Sequence, residues 1–245
     1  MNIRLIETYR WLSRKEIEDL ERILSRLPAR HLESLETIEA VESLGRGILA
    51  TASYYGDGKD ITLSSAYFEL PYGERESTLI HELGHTYYDF LEENMGDKSR
   101  TLLVWGACRK EDVEHLPRVQ WMDLGLWDLR EDKWEELRLA NPNNRAFRDK
   151  YTYITMFKHG HLQCGEWVCP AETRIPENDQ VTHGFNYDWA HYSPMEEIAD
   201  AYALFAVGKD YFIECAQGNE VIKAKLAFTQ AHFANGNHAD VRLVT

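Results

Sequence analysis

Cysteine is scarce in this sequence, with 4 residues among 245. So few thiols exclude a scaffold that depends on disulfides. Long apolar runs are also lacking, so the sequence predicts no membrane-spanning helix and no membrane partner. Charged residues interrupt the apolar ones from the first positions onward, which excludes the apolar segment of a secretory signal. The expected location is therefore the cytoplasm, or the exterior by an export route without a cleavable signal.

Positive charge is the second shortage. The chain has 27 Lys and Arg against 41 Asp and Glu, which gives a formal net charge of -14. A field of this sign repels phosphate backbones and anionic lipid, so nucleic acid is excluded as an expected partner. The acidity is typical of a solubilising surface, and it would also attract a basic substrate.

The spacing of apolar residues predicts an α+β fold that is mainly helical, with a small mixed or antiparallel sheet and a large insertion. Two short segments around a Gly-Asp-Gly turn, residues 47–55 and 60–64, indicate a hairpin. A strong apolar stripe predicts a helix from Ser77 to about Glu93. The expected organisation is a single domain over 1–245, with a helical N-terminal layer at 1–45, the hairpin and this helix at 46–96, the insertion at 97–190, and two further helices at 191–245.

One five-residue motif lies within the predicted helix: His81-Glu82-Leu83-Gly84-His85 matches H-E-x-x-H. Residues four apart share a helix face, so both imidazoles can reach a single cation. Zinc accepts neutral imidazole nitrogens and leaves room for a third protein ligand and a water. Glu82 lies beside the first histidine, where its carboxylate can take a proton from that water. The motif therefore predicts a zinc-dependent metallopeptidase.

A third ligand must come from elsewhere in the chain. The sequence after His85 lacks the third histidine of H-E-x-x-H-x-x-G-x-x-H, which excludes the metzincin class. A downstream helix opening at Ser193 offers Glu196, and Asp200 lies four residues on, where it can accept a hydrogen bond from a zinc-bound histidine such as His81. The same stretch fits a capping box with Pro at N1, in which case Glu197 is the alternative ligand.

Both motifs resemble those of the lethal-factor-like gluzincin metallopeptidases, which include the proline-proline endopeptidases. That family shares an H-E-x-G-H helix and a downstream pattern close to Y-A-x-x-N-P-x-E-D-F-A-E, which is similar to residues 189–200 here, WAHYSPMEEIAD. The order of the sequence segments that precede the H-E-x-x-H motif is also similar. The resemblance covers roughly residues 27–91 and 189–207. It implies a zincin-like domain with Zn²⁺ held by His81, His85 and Glu196.

The resemblance also implies the roles of further residues. Glu82 is expected to be the general base for hydrolysis of a peptide or protein substrate. That substrate is expected to lie along an edge strand formed by Ile61, Thr62, Leu63 and Ser64. The family places an oxyanion-stabilising tyrosine seven residues before the glutamate, where this sequence has Trp189. An indole N–H donates a hydrogen bond but is not a phenol, so His191 or Tyr192 is the expected substitute.

Two other functions remain open at the level of sequence. Trp189 also fits a catalytically impaired zinc domain that binds a partner protein, and lethal-factor-like domains recur in toxins and effectors. A DNA-associated protease with H-E-x-x-H would use a third histidine and basic DNA-binding regions, which the charge of -14 opposes.

Overall fold

A computed structural model of the chain describes residues 1–8, 10–33, 35–45, 47–52, 60–94, 114–129, 131–132, 135, 139, 167–168, 170–176, 194–233 and 237–244. These residues form a mixed α and β structure, in agreement with the α+β prediction. By its internal contacts the chain divides into two compact units. The first comprises Met1–Phe90, Pro176–Phe185 and Ala199–Thr245, and the second comprises Leu91–Ile175 and Asn186–Ile198.

The first unit contains a five-stranded mixed sheet. The strands are β1 (Asn2–Glu7), β2 (Thr37–Val41), β3 (Ala50–Ala52), β4 (Asp60–Ser64) and β7 (Arg242–Val244). Their order across the sheet is β3-β4-β2-β1-β7, and β3 alone runs antiparallel to its neighbour. A right-handed crossover is the usual link between parallel neighbours, and helix α1 (Arg14–Leu24) lies between β1 and β2 in the chain.

The prediction of a wholly helical layer at 1–45 is wrong for two segments, because Asn2–Glu7 and Thr37–Val41 are strands. Ile3 and Leu5 are both buried with an exposed residue between them, which is the period of two expected of a strand. β2 lies between two neighbours and buries residues on both faces, so its apolar residues do not alternate. The apolar stripe of α1, with Leu20, Ile23 and Leu24 buried, is helical as predicted, and a short 3-10 helix follows at Ala29–Leu32.

The predicted hairpin is confirmed by the antiparallel pairing of β3 with β4, in which Thr51 lies opposite Thr62. The expected Gly-Asp-Gly turn falls in 53–59, outside the described residues. The expectation that residues 61–64 form an edge strand is wrong: β4 pairs with β3 on one side and with β2 on the other. With backbone groups engaged on both sides, Ile61, Thr62, Leu63 and Ser64 cannot add a substrate strand. Within the described residues, the edge on this side is β3.

Six further α-helices follow in the described chain. The motif helix α3 extends over Tyr72–Asn94, starting five residues before the predicted Ser77. The helix predicted from Ser193 is α5, Pro194–Val207, and the predicted C-terminal helix is α7, Glu220–His232, capped by the Asn219 side chain. After α7, the chain returns to the sheet as β7. The others are α2 (Ser65–Glu69), α4 (Pro117–Gly125) and α6 (Lys209–Cys215).

The second unit contains α4, a two-stranded antiparallel sheet of β5 (Asp128–Leu129) and β6 (Trp167–Val168), and a 3-10 turn at Ala171–Thr173. It takes in many of the residues that the sequence assigns to an insertion at 97–190. The boundaries between the units at 90/91 and 198/199 fall within the continuous helices α3 and α5. None of the described helices is both long and apolar enough to cross a bilayer.

Candidate metal centre

Helix α3 buries the two motif histidines and Glu82. His81, Glu82 and His85 are 2, 9 and 3 % exposed. Burial of this many polar groups is costly unless they bind one another or an ion. The Nε2 atoms of His81 and His85 lie 3.1 Å apart, with the rings near perpendicular. Two nitrogens bound to one zinc at about 2.0–2.1 Å in a tetrahedron would be separated by roughly 3.3 Å, so the two rings converge on a volume of the right size.

Helix α5 supplies the third member of the group. His81, His85 and Glu196 each offer one ligand atom, and these atoms lie within 4.8 Å of one another. The two histidines are buried and Glu196 is half-buried. Two imidazoles and one carboxylate from separate helices form a donor set that could hold a metal ion.

Asp200 lies one turn after Glu196 on α5 and binds the far side of His81. The distance from His81 Nδ1 to Asp200 Oδ1 is 2.6 Å. An ionised carboxylate only accepts hydrogen bonds, so Nδ1 carries the proton and donates it. The tautomer fixed in this way leaves the lone pair of Nε2 directed toward His85 and available to a cation. The structure thus places Asp200 in the position that the sequence analysis expects.

Glu197, the alternative ligand, is engaged elsewhere. It is 5 % exposed, and its Oε2 accepts hydrogen bonds from the indole nitrogens of Trp121 at 3.0 Å and Trp127 at 2.8 Å. Its Oε1 accepts from the backbone N–H of Ile175 at 3.3 Å. Of the two consecutive glutamates, Glu196 is therefore the one that joins the histidines. The capping box that the sequence also allows depends on Ser193, which lies outside the described residues.

Gly84, at the centre of the motif, sets how closely α3 and α5 approach. A Cβ built on this residue would lie 3.1 Å from the Cα of Ala199 and 3.3 Å from the Cβ of Tyr202. Both distances are shorter than ordinary van der Waals contact, so a larger residue would push the backbone of α5 away. Glycine thus lets the helix bearing Asp200 approach the helix bearing His81.

The side of α3 away from the histidines is fixed by an aromatic cluster. His31 stacks on Tyr87 with ring centroids 4.1 Å apart, and its Nδ1 lies 2.5 Å from the hydroxyl of Tyr202 on α5. Tyr87 donates to the carbonyl of His232 at 2.7 Å. Burial lowers the pKa of His31 to about 4, so this imidazole is neutral at physiological pH. The cluster anchors both helices without adding a charge to the core.

Several expected site residues fall outside the described part of the chain. These are the oxyanion candidates His191 and Tyr192, together with Trp189. The residues expected to bind substrate are described: Ile61, Leu63 and Ser64 are buried, and Thr62 is half-buried, within the interior strand β4.

Sequence reasoning missed the partners of Glu197. Trp121 and Trp127 lie 76 and 70 residues before Glu197, so no local sequence pattern predicts the contact. The available signal was weak: two tryptophans six residues apart, each with an N–H that needs a partner when buried.

In comparisons with known proteins, the chain matches no protein-family model, no curated protein and no solved structure.

Proposed function

We propose that this protein is a zinc-dependent endopeptidase of the gluzincin type, in keeping with the lethal-factor-like resemblance of its motifs. The observation that carries the proposal is the convergence of His81, His85 and Glu196, whose ligand atoms lie within 4.8 Å of one another. A chance H-E-x-x-H string would have no reason to meet a glutamate more than a hundred residues away. The accompanying Asp200 contact on His81 is the arrangement that supports zinc-binding histidines in proteins.

The donor set favours zinc over harder cations. Two neutral imidazoles suit zinc and other late transition metals, whereas magnesium and calcium take oxygen ligands. Three protein ligands also leave a coordination position open, as in catalytic and unlike structural zinc sites. Zinc bound at this centre supplies a Lewis acid that lowers the pKa of a coordinated water and polarises a carbonyl group.

Glu82 is the residue proposed to move protons. It is adjacent to His81 on α3 and 9 % exposed, so its carboxylate is shielded from bulk water. In the proposed reaction it accepts a proton from the attacking water at its carboxylate and delivers that proton to the nitrogen of the leaving amine. His191 or Tyr192 would donate a hydrogen bond to the developing oxyanion, a type of interaction that is worth about 2.7–4 kcal/mol.

The proposed substrate is a peptide in extended conformation. Family resemblance implies pairing with a sheet edge, and because β3 is the edge strand on this side of the described sheet, the proposal assigns that role to β3 in place of β4. Ala50 and Ala52 of β3 pair with Leu63 and Ile61 of β4 on one side. The opposite side of β3 pairs with no other strand among the described residues, and the proposed substrate would add there as a further strand.

The test combines metal analysis with a peptide-library cleavage assay on the parent protein and on Glu82→Gln. We expect about one zinc per chain in both proteins, and cleavage by the parent that chelation abolishes and zinc restores. Glu82→Gln keeps the side-chain volume but cannot accept the proton, so its turnover should fall by at least about a hundredfold. Glu69→Gln, an exposed residue before the motif helix, is the matched control and should retain parental activity.

Two results would contradict the proposal. Parental turnover in Glu82→Gln would remove Glu82 as the base. A protein that binds zinc yet cleaves nothing in the library would instead support the alternative of an impaired zinc domain that binds a partner.

A further inference from the structure

Glu197 is one of the most completely engaged carboxylates in the described chain, although it is not a metal ligand. Two indole N–H groups meet on its Oε2, at 3.0 Å from Trp121 and 2.8 Å from Trp127, and the Ile175 N–H reaches its Oε1 at 3.3 Å. Trp121 is 0 % and Trp127 is 4 % exposed. Each buried indole N–H requires an acceptor, and the single carboxylate satisfies both.

The position of this residue gives the contact a consequence for the metal centre. Glu196 and Glu197 are neighbours in the first turn of α5, and successive helical residues point about 100° apart. When Glu197 is held by the two indoles, the rotation of this first turn is fixed and Glu196 projects in a different direction. Asp200 lies four residues after Glu196 and therefore on nearly the same face, where it binds His81.

The first turn of α5 lies beyond the contacts of Gly84. Gly84 contacts Ala199 and Tyr202, which lie farther along the helix. Helix ends fray, because their backbone groups lack partners within the helix. The half-buried side chain of Glu196 lies in this same turn.

We propose that Glu197 is a positioning residue: its carboxylate clamps the first turn of α5 through Trp121 and Trp127 and thereby aims Glu196 at the metal. The role rests on the proposed zinc site. It predicts that zinc affinity depends on a glutamate that does not touch the metal, and on two tryptophans distant in sequence.

Two measurements on Glu197→Ala, Glu197→Gln and Trp127→Phe test the proposal. The first is hydrogen–deuterium exchange of the metal-free proteins over peptides covering residues 194–200. The second is the zinc dissociation constant from competition with a chromophoric chelator. We expect Glu197→Ala to speed exchange over 194–200 by about tenfold and to weaken zinc binding by about 10–100-fold. Trp127→Phe should change both in the same direction, but less.

Glu197→Gln refines the assignment. An amide keeps the volume and can accept from the indoles, but its NH₂ then faces the Ile175 N–H, and the charge is gone. Its effects should therefore fall between those of the parent and Glu197→Ala. Glu214→Ala on α6 and Trp11→Phe, both exposed positions, are the matched controls and should alter neither measurement.

A folded Glu197→Ala protein with parental exchange over 194–200, or with faster exchange but parental zinc affinity, would overturn the proposal. If Glu197→Ala does not fold, the same readings are taken from Glu197→Gln and Trp127→Phe. Absence of zinc binding in the parent would contradict the proposed function instead. In that event the exchange rates of the metal-free proteins still decide whether Glu197 fixes this turn.

Discussion

At the scale of single residues, the hydrogen bond from His81 to Asp200 decides which nitrogen of the ring is free to bind the proposed metal. Nδ1 donates to Oδ1 across 2.6 Å, so Nε2 keeps its lone pair. In zinc sites a carboxylate at this position also orients the ring and strengthens its bond to the cation. In the proposed zinc site, a side chain that does not touch the ion would thus contribute to its affinity.

Asp200→Asn tests this contribution. The amide oxygen can still accept from Nδ1, but the negative charge is lost, so we expect zinc to bind about 10–100-fold more weakly. Chelator competition measures the change, and circular dichroism confirms that the variant is folded. Asp210→Asn, at an exposed position on α6, is the control and should bind zinc as the parent does. Equal affinities for Asp200→Asn and the parent would show that the contact does not tune the metal site.

The relation of Asp200 to Glu196 could be predicted from sequence, because spacing by four residues in a helix determines a shared face. Helical spacing could not predict which of Glu196 and Glu197 joins the two histidines. The deciding contacts come from Trp121 and Trp127, whose position relative to α5 depends on the folded chain. Local periodicity indicates which side chains share a helix face, but not which residues of the folded chain that face contacts.

At the scale of elements, the approach of α3 to α5 depends on the lack of a side chain at Gly84. Alanine has a higher helix propensity than glycine, by roughly 0.5–1 kcal/mol. This gain is opposed by a steric clash, because the new Cβ would lie 3.1 Å from the Cα of Ala199. Only a shift of the backbone can relieve that contact. Overpacking of this kind costs about 1–3 kcal/mol, so the clash outweighs the propensity.

Gly84→Ala should therefore lower the free energy of unfolding by about 1 kcal/mol and weaken zinc binding by about tenfold, since α5 carries both Glu196 and Asp200. Urea unfolding and chelator competition measure the two effects. Gly73→Ala is a matched control in the same helix, because nothing lies within 4 Å of its added Cβ. That variant should be as stable as the parent or more stable. A Gly84→Ala protein that is stabilised and binds zinc normally would refute the packing argument.

The elements themselves were predictable to different degrees. α3 and α5 have a continuous apolar pattern, and sequence locates their starts to within five residues. β2 was mistaken for helix because a strand buried between two neighbours shows no alternation, so Ile38 and Val41, three residues apart, fit a helical spacing equally well. Strand order is a long-range property, which is why β4 was expected at an edge that β3 occupies.

At the scale of the whole molecule, the first unit maintains a neutral imidazole at its centre despite the acidity of the chain. His31 is fully buried between Tyr87 and Tyr202, and burial lowers its pKa to about 4. His232, packed near Tyr88, has a pKa that is also lowered by burial. Both residues link the stability of the folded protein to pH.

The sign of this linkage follows from the protons bound. An unfolded chain protonates His31 near pH 6.5, whereas the folded protein does so only near pH 4. Between these values the unfolded state binds more protons, so the free energy of unfolding falls as the pH falls. From pH 7 to pH 5, His31 alone should remove about 2 kcal/mol of stability.

His31→Phe keeps an aromatic ring against Tyr87 but cannot titrate, so its loss of stability from pH 7 to pH 5 should be smaller than the parent's by about 2 kcal/mol. Urea unfolding of metal-free protein at pH 7 and pH 5 measures both losses. His238→Phe, at an exposed position, should show the parental loss. If His31→Phe loses as much stability as the parent, the acid sensitivity arises from groups other than this buried histidine.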